Sequence, residues 1–470
     1  MSQILSCRET SLSMFGQHHR LRAPDVQPAD ARLGQIRGML LSSHIYRFHR
    51  ATQESLNLST SLADLIQPSE GMGLLVDAAI RIEAANSLWD HGEMISSIGM
   101  LQAIDRESSL KKQTVPVNRS NLLSKIGHQV SVARLESPEN IQKKYLEPAL
   151  KELKGKIEGK EAGQVYHQFA MFCDEQLQNP DSLEDLARLQ SLKKGKSDEV
   201  ADLKSLIAQT TSSQLKSRYS THLAKAKQWL DLDQQELRRV EQTRAEFVRL
   251  SLENYLLSLI CSDEHNNDAL RFTAMWLERS QEDATNEAVK KYLDKVPTRK
   301  FATLMNQLSS RLQDQGNLFQ YLLFRLVLRI CVDHPYHGMY QVWSGVRSRV
   351  NKQDEVALSR QKATEKVSTY LQRNKEVSSI WVAINQTSKY YHSLAIDRDA
   401  NRYKAGQKMA IKDSPVGAQF LTTFAKYPIP PPTMQIELAP DMDYSGIPLI
   451  QKFEPNMSIA SGVRDRKSVV

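Results

Sequence analysis

Two histidines and a carboxylate lie within five residues in the segment Asp333-His334-Pro335-Tyr336-His337. Imidazole and carboxylate groups bind zinc, but a zinc site needs a further, distant ligand and hydrogen-bonded groups that orient the ligands. The sequence offers no second His or Cys cluster to supply that ligand. Proline is favoured at the first position of a helix. The segment therefore predicts a helix that begins at Pro335, and neither this segment nor His18-His19 predicts a metal site.

The segment Asp397-Arg398-Asp399-Ala400-Asn401 invites comparison with the catalytic loop of a kinase, in which an Asp is the base and an Asn binds magnesium. The Asn stands one place too early for the related D-R-H-x-x-N loop, and no D-F-G sequence follows it. We interpret the segment as ordinary helical sequence and predict no catalytic residue in it.

Most of the positive charge lies in one stretch of the chain. The 470 residues carry 62 Lys or Arg against 54 Asp or Glu, a net charge of +8, and residues 347–413 alone contain 14 Lys or Arg against 7 Asp or Glu. Cations interleaved with aromatic rings are typical of nucleic-acid contacts, but a solvated helix face or an acidic protein partner would explain the charge equally well. The aromatic residues of the stretch are Tyr370, Trp381, Tyr390, Tyr391 and Tyr403.

The cysteines and the apolar residues indicate the cellular compartment of the protein. Cys7, Cys173, Cys261 and Cys331 stand far apart without a C-x-x-C pair, which predicts reduced thiols in an intracellular protein. No run of 18 apolar residues occurs, and the N-terminus does not have the order of a signal peptide. We expect a soluble intracellular protein that has no contact with a membrane.

The elements that position these residues are predicted to be helices. From Lys196 to Val296 the sequence has neither Gly nor Pro, a stretch of 101 residues that strands and their turns would not tolerate. Apolar residues there recur at spacings of three and four, as at Tyr219, Leu223 and Trp229. We predict helices of roughly 12 to 40 residues through residue 350.

Connections between these helices look short. A small-residue face at Ala84-Ala85 beside Trp89 precedes Gly92, which predicts a helix end there. A second stripe then begins at Ile95, Ile98 and Leu101. Paired helices of this kind build tetratricopeptide-like arrays, but no strict 34-residue period occurs. Periodicity alone leaves an irregular α-solenoid and a single helical bundle as alternatives.

The pattern changes after residue 425. The run Pro428-Ile429-Pro430-Pro431-Pro432 predicts an extended spacer. Alternating residues then predict short strands at 433–438, 447–453 and 457–460. A second domain with β-strands begins here, with too few residues before the end of the sequence to close a core of its own. The Ser461-Gly462 turn after the last strand suits phosphate binding, although two residues are a weak signal.

Several strings resemble the helical FAT region of the phosphatidylinositol-3-kinase-related protein kinases, of the ATM type. One of them is Lys144-Tyr145-Leu146-Glu147-Pro148-Ala149. Others lie at 132–138, 172–176, 262–265, 275–278, 296–301, 304–308 and 333–337. The residues in these strings are similar to those of the fungal branch, the telomere-maintenance and DNA-damage checkpoint kinases. The resemblance covers nearly the whole chain in the same order.

The resemblance implies an all-α, irregular helical-repeat FAT solenoid followed by a short β stub of a kinase N-lobe. It implies a helical FAT region over residues 1–350 and a basic helical connection over 351–427. The linker and first strands of an incomplete kinase domain follow over 428–463. Residues 431–438, 441–444 and 453–463 carry this last part of the resemblance.

In the family, the turn at Ser461 and Gly462 lies over the phosphates of ATP, so these two positions are the candidate cofactor-binding residues. The lysine that anchors ATP, the D-R-H-x-x-N loop and the D-F-G sequence are absent from this sequence. The resemblance therefore implies ATP and Mg as cofactors of the parent kinase only. We predict no catalytic or metal-binding residue, no cofactor and no phosphate transfer for this chain alone.

The parent protein would phosphorylate Ser or Thr in response to DNA double-strand breaks and maintain telomeres in the nucleus. Its implied partners are its own kinase domain, a second copy in a homodimer, and a protein complex that senses DNA ends. Two alternatives stay open: a free-standing α-solenoid scaffold that binds protein partners, and a short isoform that regulates the full kinase.

Residues 464–470 depart from the family. The string Asp465-Arg466-Lys467-Ser468-Val469-Val470 matches the translation of a widely used sequencing adapter. We expect this tail to be non-native and the coding sequence to be truncated. Amplification of the genomic locus across the codon for Val463 tests this, because a genuine stop after Val470 would contradict it.

Overall fold

A computed structural model describes residues 27–348, 350–351, 353–395, 407–431 and 434–458. The chain divides into two compact units, with the boundary between His265 and Asn266. The boundaries predicted from the sequence, at residues 350, 427 and 463, concern family domains and not compactness, and they stay predictions. The segments at 18–19, 397–401 and 461–470 lie outside the described residues.

The first unit consists of helices that pack on their neighbours in the chain. Its regular helices are α1 (Pro28–Phe48), α2 (Thr52–Ala63), α3 (Ile66–Glu70), α4 (Asp77–His91), α5 (Met94–Arg106), α6 (Arg119–Val132), α7 (Pro138–Ile141), α8 (Glu147–Leu153), α9 (Lys160–Gln178), α10 (Pro180–Gln209) and α11 (Ser213–Cys261). A π-helical turn, Gln142–Leu146, joins α7 to α8, and a 3₁₀ turn, Ser108–Lys112, follows α5. Helix α1 contacts α2, α2 contacts α4, α4 contacts α5 and α5 contacts α6. This order of contacts is typical of a helical-repeat array.

The predicted turn at Gly92 is confirmed. Gly92 has a φ of 100°, a conformation that glycine adopts without a Cβ penalty, and its N–H donates to the carbonyl of Trp89 at 3.0 Å. Helix α5 starts two residues later, and Ile98 and Leu101 are buried. The prediction for Ile95 is wrong, because this side chain is 65% exposed.

Helices α10 and α11 form a long antiparallel hairpin, and the stretch that lacks Gly and Pro includes the second half of α10 and all of α11. Their lengths are 30 and 49 residues, so α11 exceeds the predicted upper limit of about 40, while several helices elsewhere are shorter than the predicted 12. Helix α10 buries only Leu189 and Val200, and α11 buries only Ala226 and Leu237 before Phe247. The hairpin is therefore held by one narrow seam.

The second unit is built on an aromatic core. Its regular helices are α12 (Asp268–Glu278), α13 (Asp283–Lys290), α14 (Arg299–Ala302), α15 (Met305–Ser310), α16 (Leu318–Asp333), α17 (Pro335–Arg347), α18 (Glu355–Arg373), α19 (Ser378–Ala395) and α20 (Gly417–Lys426). Trp276 is fully buried between Phe272 and Phe319, with ring centroids 5.8 and 5.1 Å away. Its indole N–H donates to Asn286 Oδ1 at 2.9 Å, so the buried polar atom is satisfied.

The β-structure in the described residues is one two-stranded antiparallel sheet. Strand β1 (Lys408–Ala410) pairs with β2 (Asn456–Ser458), and Met409 lies opposite Met457. The strand predicted at 457–460 is confirmed as far as Ser458, where the described residues end. The strands predicted at 433–438 and 447–453 are wrong, because their described residues form irregular chain. Prolines 440 and 448 break this segment, and a proline cannot donate to a strand ladder.

The predicted fold class is confirmed: an all-α helical-repeat region with a small β stub. No helix among the described residues is long and apolar enough to cross a membrane.

Candidate functional site

The candidate site is the C-terminal part of the second unit, where an irregular segment packs on helices α16, α17 and α19. We call residues 434–450 the strap. The site begins at Pro335, which occupies the first turn of α17 as predicted from the sequence. Because His334 and His337 are three residues apart, they lie on the same side of this helix start.

Both histidines fasten the strap. His334 is 1% exposed, and its Nδ1 lies 2.5 Å from the hydroxyl oxygen of Tyr444. The Ala439 N–H donates to the same hydroxyl at 3.3 Å, so the Tyr444 O–H is free to donate to His334 Nδ1. His337 Nε2 donates to the carbonyl of Ile436 at 3.0 Å. These contacts place the two imidazoles in structural hydrogen bonds.

Burial favours the neutral form of both imidazoles. Desolvation lowers the pKa of His334, partly offset by the charge of Asp333, and it lowers the pKa of His337 despite the bond to Ile436. His337 Nδ1 is buried without a hydrogen-bond partner, which suits an unprotonated nitrogen. Among the described residues, no group of three His, Cys, Asp or Glu side chains is placed to hold a metal ion.

An aromatic cluster holds the chain on either side of the strap. Tyr391 on α19, Phe420 and Phe424 on α20, and Phe453 pack with ring centroids 4.7 to 6.4 Å apart. The Ile450 N–H donates to the carbonyl of Ile429 at 2.9 Å, and Ile429 is 1% exposed. This cluster leads the chain from the strap into β2.

An open cavity of about 1010 Å³ lies beside the cluster. Its lining is mainly aromatic and apolar and includes Tyr340, Trp343, Tyr391, Ile450 and Phe453. Burial raises the pKa of Tyr340 to about 12, so its hydroxyl stays protonated. The lining also includes Ser344, Ser388 and His392, and within the described part of the chain neither hydroxyl is hydrogen-bonded to this imidazole. The described part of the site is therefore suited to packing and positioning.

The sequence analysis predicted only part of this site. Ser461 and Gly462 lie outside the described residues, so their role remains a prediction. The aromatic cluster and the partner of β2 were missed. Phe420 and Phe424 are spaced as one helix face, and that signal indicates a buried stripe without naming its partners. Tyr444 lies within residues 441–444, which carry part of the resemblance, but nothing in the sequence predicted its bond to His334.

Three of the four cysteines fall within the described residues. Cys173, Cys261 and Cys331 are free and buried, and burial raises the pKa of each thiol. They are therefore poor nucleophiles.

The fold and the fastened strap define a helical-repeat region with a packing role. The model of the FAT domain family matches residues 2–274, which is more than half of the chain. The chain belongs to the FAT domain family.

Relatives then place the chain in the Tel1 branch, which is the ATM type, as the resemblance implied. It is 71% identical over all 470 residues to the serine/threonine-protein kinase tel1 of Neurospora crassa. A solved structure described as the FAT and kinase domain of CtTel1 matches 98% of the chain at 69% identity with a TM-score of 0.89. A complete CtTel1 dimer with C2 symmetry matches equally well, with the same coverage, identity and TM-score.

The chain spans 16% of the Neurospora protein, 31% of the FAT and kinase domain structure and 17% of the complete CtTel1 chain. It thus corresponds to the FAT region of a Tel1-type kinase.

Proposed function

We propose that this chain supports the entry into the catalytic domain of a Tel1-type serine/threonine-protein kinase. One observation carries the proposal: the strap and β2 are held on the helical unit by bonds and rings from several helices. His334 and His337 hold the strap on α17, and the aromatic cluster holds the residues before β2. The helices thereby fix the direction in which the chain reaches residue 458.

The intact protein would transfer phosphate from ATP to Ser or Thr, with Mg. Phosphoryl transfer requires a lysine on the phosphates, a base and metal-binding carboxylates in one place. The described residues provide no such set, so we derive no chemical step from them. Ser461 and Gly462 would contribute only a turn over the phosphates.

The setting of the intact protein is part of the same proposal. By its relation to Tel1 it would act in the nucleus at DNA breaks and telomeres, together with a complex that senses DNA ends. The dimer described for CtTel1 supports a homodimer of the parent.

The support role is tested by removing one hydroxyl. Tyr444→Phe in the full-length kinase removes the bond to His334 and leaves the ring contacts. We expect phosphate transfer to a protein substrate to fall roughly 2- to 30-fold, because a positioning contact outside the reacting atoms is worth about 0.5–2 kcal/mol. Amide exchange in the strap should rise in parallel.

The matched control is Tyr321→Phe, since Tyr321 is 54% exposed and, among the described residues, its hydroxyl accepts only from Arg325 on the same helix. If Tyr444→Phe loosens the strap and leaves activity at the level of this control, the support role is wrong. The purified 470-residue chain should transfer no phosphate. ATP-dependent transfer that exceeds a mock preparation would contradict that expectation.

A further inference from the structure

A second basic surface lies on the α10–α11 hairpin, in a part of the sequence separate from residues 347–413. Residues 193–229 carry eight Lys or Arg against three Asp or Glu. The cations are Lys193, Lys194, Lys196, Lys204, Lys216, Arg218, Lys225 and Lys227. Seven of them are exposed, and Lys196 is partly exposed. We call this part of the hairpin the hairpin tip.

The charge of the hairpin tip is not neutralised within the described part of the chain. Lys196 pairs with Glu199 at 2.7 Å, and the other seven cations have no ion pair there. Some exposed cations elsewhere in the first unit are paired, such as Arg119 with Asp105 and Lys144 with Glu136. Unpaired cations that crowd one surface attract a polyanion.

Two of the cations on α11, Arg218 and Lys225, form one stripe with an exposed tryptophan. Arg218, His222, Lys225, Trp229 and Leu232 follow each other at spacings of four and three, and all five are exposed. Their spacing puts them on one helix face. Trp229 is 59% exposed, although a tryptophan in a seam would be buried. Arg218 and Trp229 are about 16 Å apart along the helix axis, which is the span of several nucleotides.

The face that carries Trp229 is exposed because the apolar seam of the hairpin lies on a different face of α11. Tyr219, Leu223, Ala226 and Leu230 repeat at the same spacing on the neighbouring face and are partly or fully shielded. The two helices therefore bury their own apolar stripe without using Trp229. The sequence reading placed Trp229 in that stripe, and this placement is wrong.

We propose that the hairpin tip binds single-stranded nucleic acid, with Arg218 and Lys225 on phosphates and Trp229 stacked on a base. An acidic protein surface would satisfy the cations, whereas the exposed indole in line with the cations offers a stacking platform for an unpaired base. Single strands offer both charges and unstacked rings, and stacking on aromatic side chains is a main source of their affinity. The proposal does not depend on the kinase assignment.

The other basic stretch fits this role less well. Two of its aromatic residues are used in packing, since Trp381 is 2% exposed and Tyr391 belongs to the aromatic cluster. Tyr370 is 58% exposed but packs edge-on against Phe324 with centroids 5.7 Å apart. Tyr403 lies outside the described residues. This stretch supplies the control surface for the experiment.

The test uses the full 470-residue chain and a fluorescein-labelled 20-nucleotide oligo-dT, followed by fluorescence anisotropy between 50 and 200 mM salt. A plot of log affinity against log salt has a negative slope. The double variant Arg218→Glu and Lys225→Glu should make this slope less negative by about 1.4, the value for two lost phosphate contacts. Trp229→Ala should weaken binding roughly tenfold, since stacking accounts for a large part of affinity per base.

The matched control is the double variant Arg360→Glu and Lys362→Glu, which makes the same charge change on exposed positions of α18. It should change affinity less than twofold. An equal loss in both double variants, or no binding by the unmodified chain at 50 mM salt, would overturn the proposal. Displacement of the oligonucleotide by polyglutamate, with Trp229→Ala unaffected, would indicate an acidic protein partner and would also overturn it. All substituted positions are exposed, and far-UV circular dichroism checks that each variant is folded.

Discussion

Helices α10 and α16 are both regular, but they are helical for different physical reasons. Helix α10 has 30 residues and buries two of them, whereas α16 has 16 residues and buries eight. Helix α10 is rich in Lys, Leu, Asp, Glu and Ala, most of which favour a helix in isolation. Helix α16 contains Phe, Val and Ile, whose propensities are poorer, and burial on several sides compensates for them. Propensity and patterning therefore account for α10, and tertiary packing accounts for α16.

This comparison assigns different tasks to the two regions. The packed helices of the second unit provide the base on which the strap lies. The hairpin keeps its apolar seam narrow and leaves most of its surface free for a partner. Changes in the base should therefore affect stability strongly, and changes on the hairpin should affect binding more than stability.

The two tryptophans give the sharpest test of this difference. Trp276→Ala removes a fully buried ring and leaves Asn286 without its indole donor, so we expect a loss of about 3–5 kcal/mol. Trp229→Ala removes an exposed ring and should change stability by less than about 0.5 kcal/mol. Native-state hydrogen exchange of α12 and α11, respectively, measures the two values. Comparable losses would mean that the hairpin is packed as tightly as the base.

The sequence predicts features that depend on local preferences better than features that depend on tertiary packing. The long helices, the glycine turn at Gly92 and the helix start at Pro335 were predictable because each depends on local preferences. The burial of Trp276 and the exposure of Trp229 were not predictable from spacing alone. Which face of a helix is covered depends on partners that are distant in sequence.

The candidate site shows the limit more plainly. The sequence alone indicated that no third metal ligand accompanies His334. It did not indicate the bond between His334 and Tyr444, because these residues are 110 positions apart. The predictions of strands at 433–438 and 447–453 were wrong. Alternation of apolar and polar residues favours a strand, but it does not show that a second strand is available to pair with it. The actual partner of β2 is Lys408–Ala410, within a segment that was interpreted as part of a helical connection.

Two glycines within helices give opposite predictions for the same substitution. An added Cβ at Gly338 on α17 would come within 3.0 Å of the Cα of Cys331 on α16, so Gly338→Ala should destabilise the base by about 1–3 kcal/mol. An added Cβ at Gly195 on α10 meets nothing within 4 Å, so Gly195→Ala should stabilise the hairpin by roughly 1 kcal/mol through helix propensity. Exchange protection of each helix measures both effects. A loss at Gly195 would show that a partner surface already covers this side of α10.

The smallest expected effect is a pH response confined to the strap. Burial lowers the pKa of His334 and His337, so the unfolded state binds their protons more readily than the folded state. Their contribution to stability is therefore complete above about pH 6.5, the unfolded value, and decreases as the pH falls below it. We expect exchange protection of residues 436–450 to decrease a few-fold between pH 7.0 and 5.5, after correction for intrinsic rates.

His337→Gln identifies the origin of this response. The glutamine amide keeps a donor for the carbonyl of Ile436 but does not titrate in this range, so the pH dependence of the strap should weaken. His222→Gln is the control, because His222 is exposed on the hairpin. An unchanged response in the first variant would assign the pH dependence to His334, which keeps its bond to Tyr444. A response of the same size in α10 and α11 would show that the two regions do not differ in the way their burial implies.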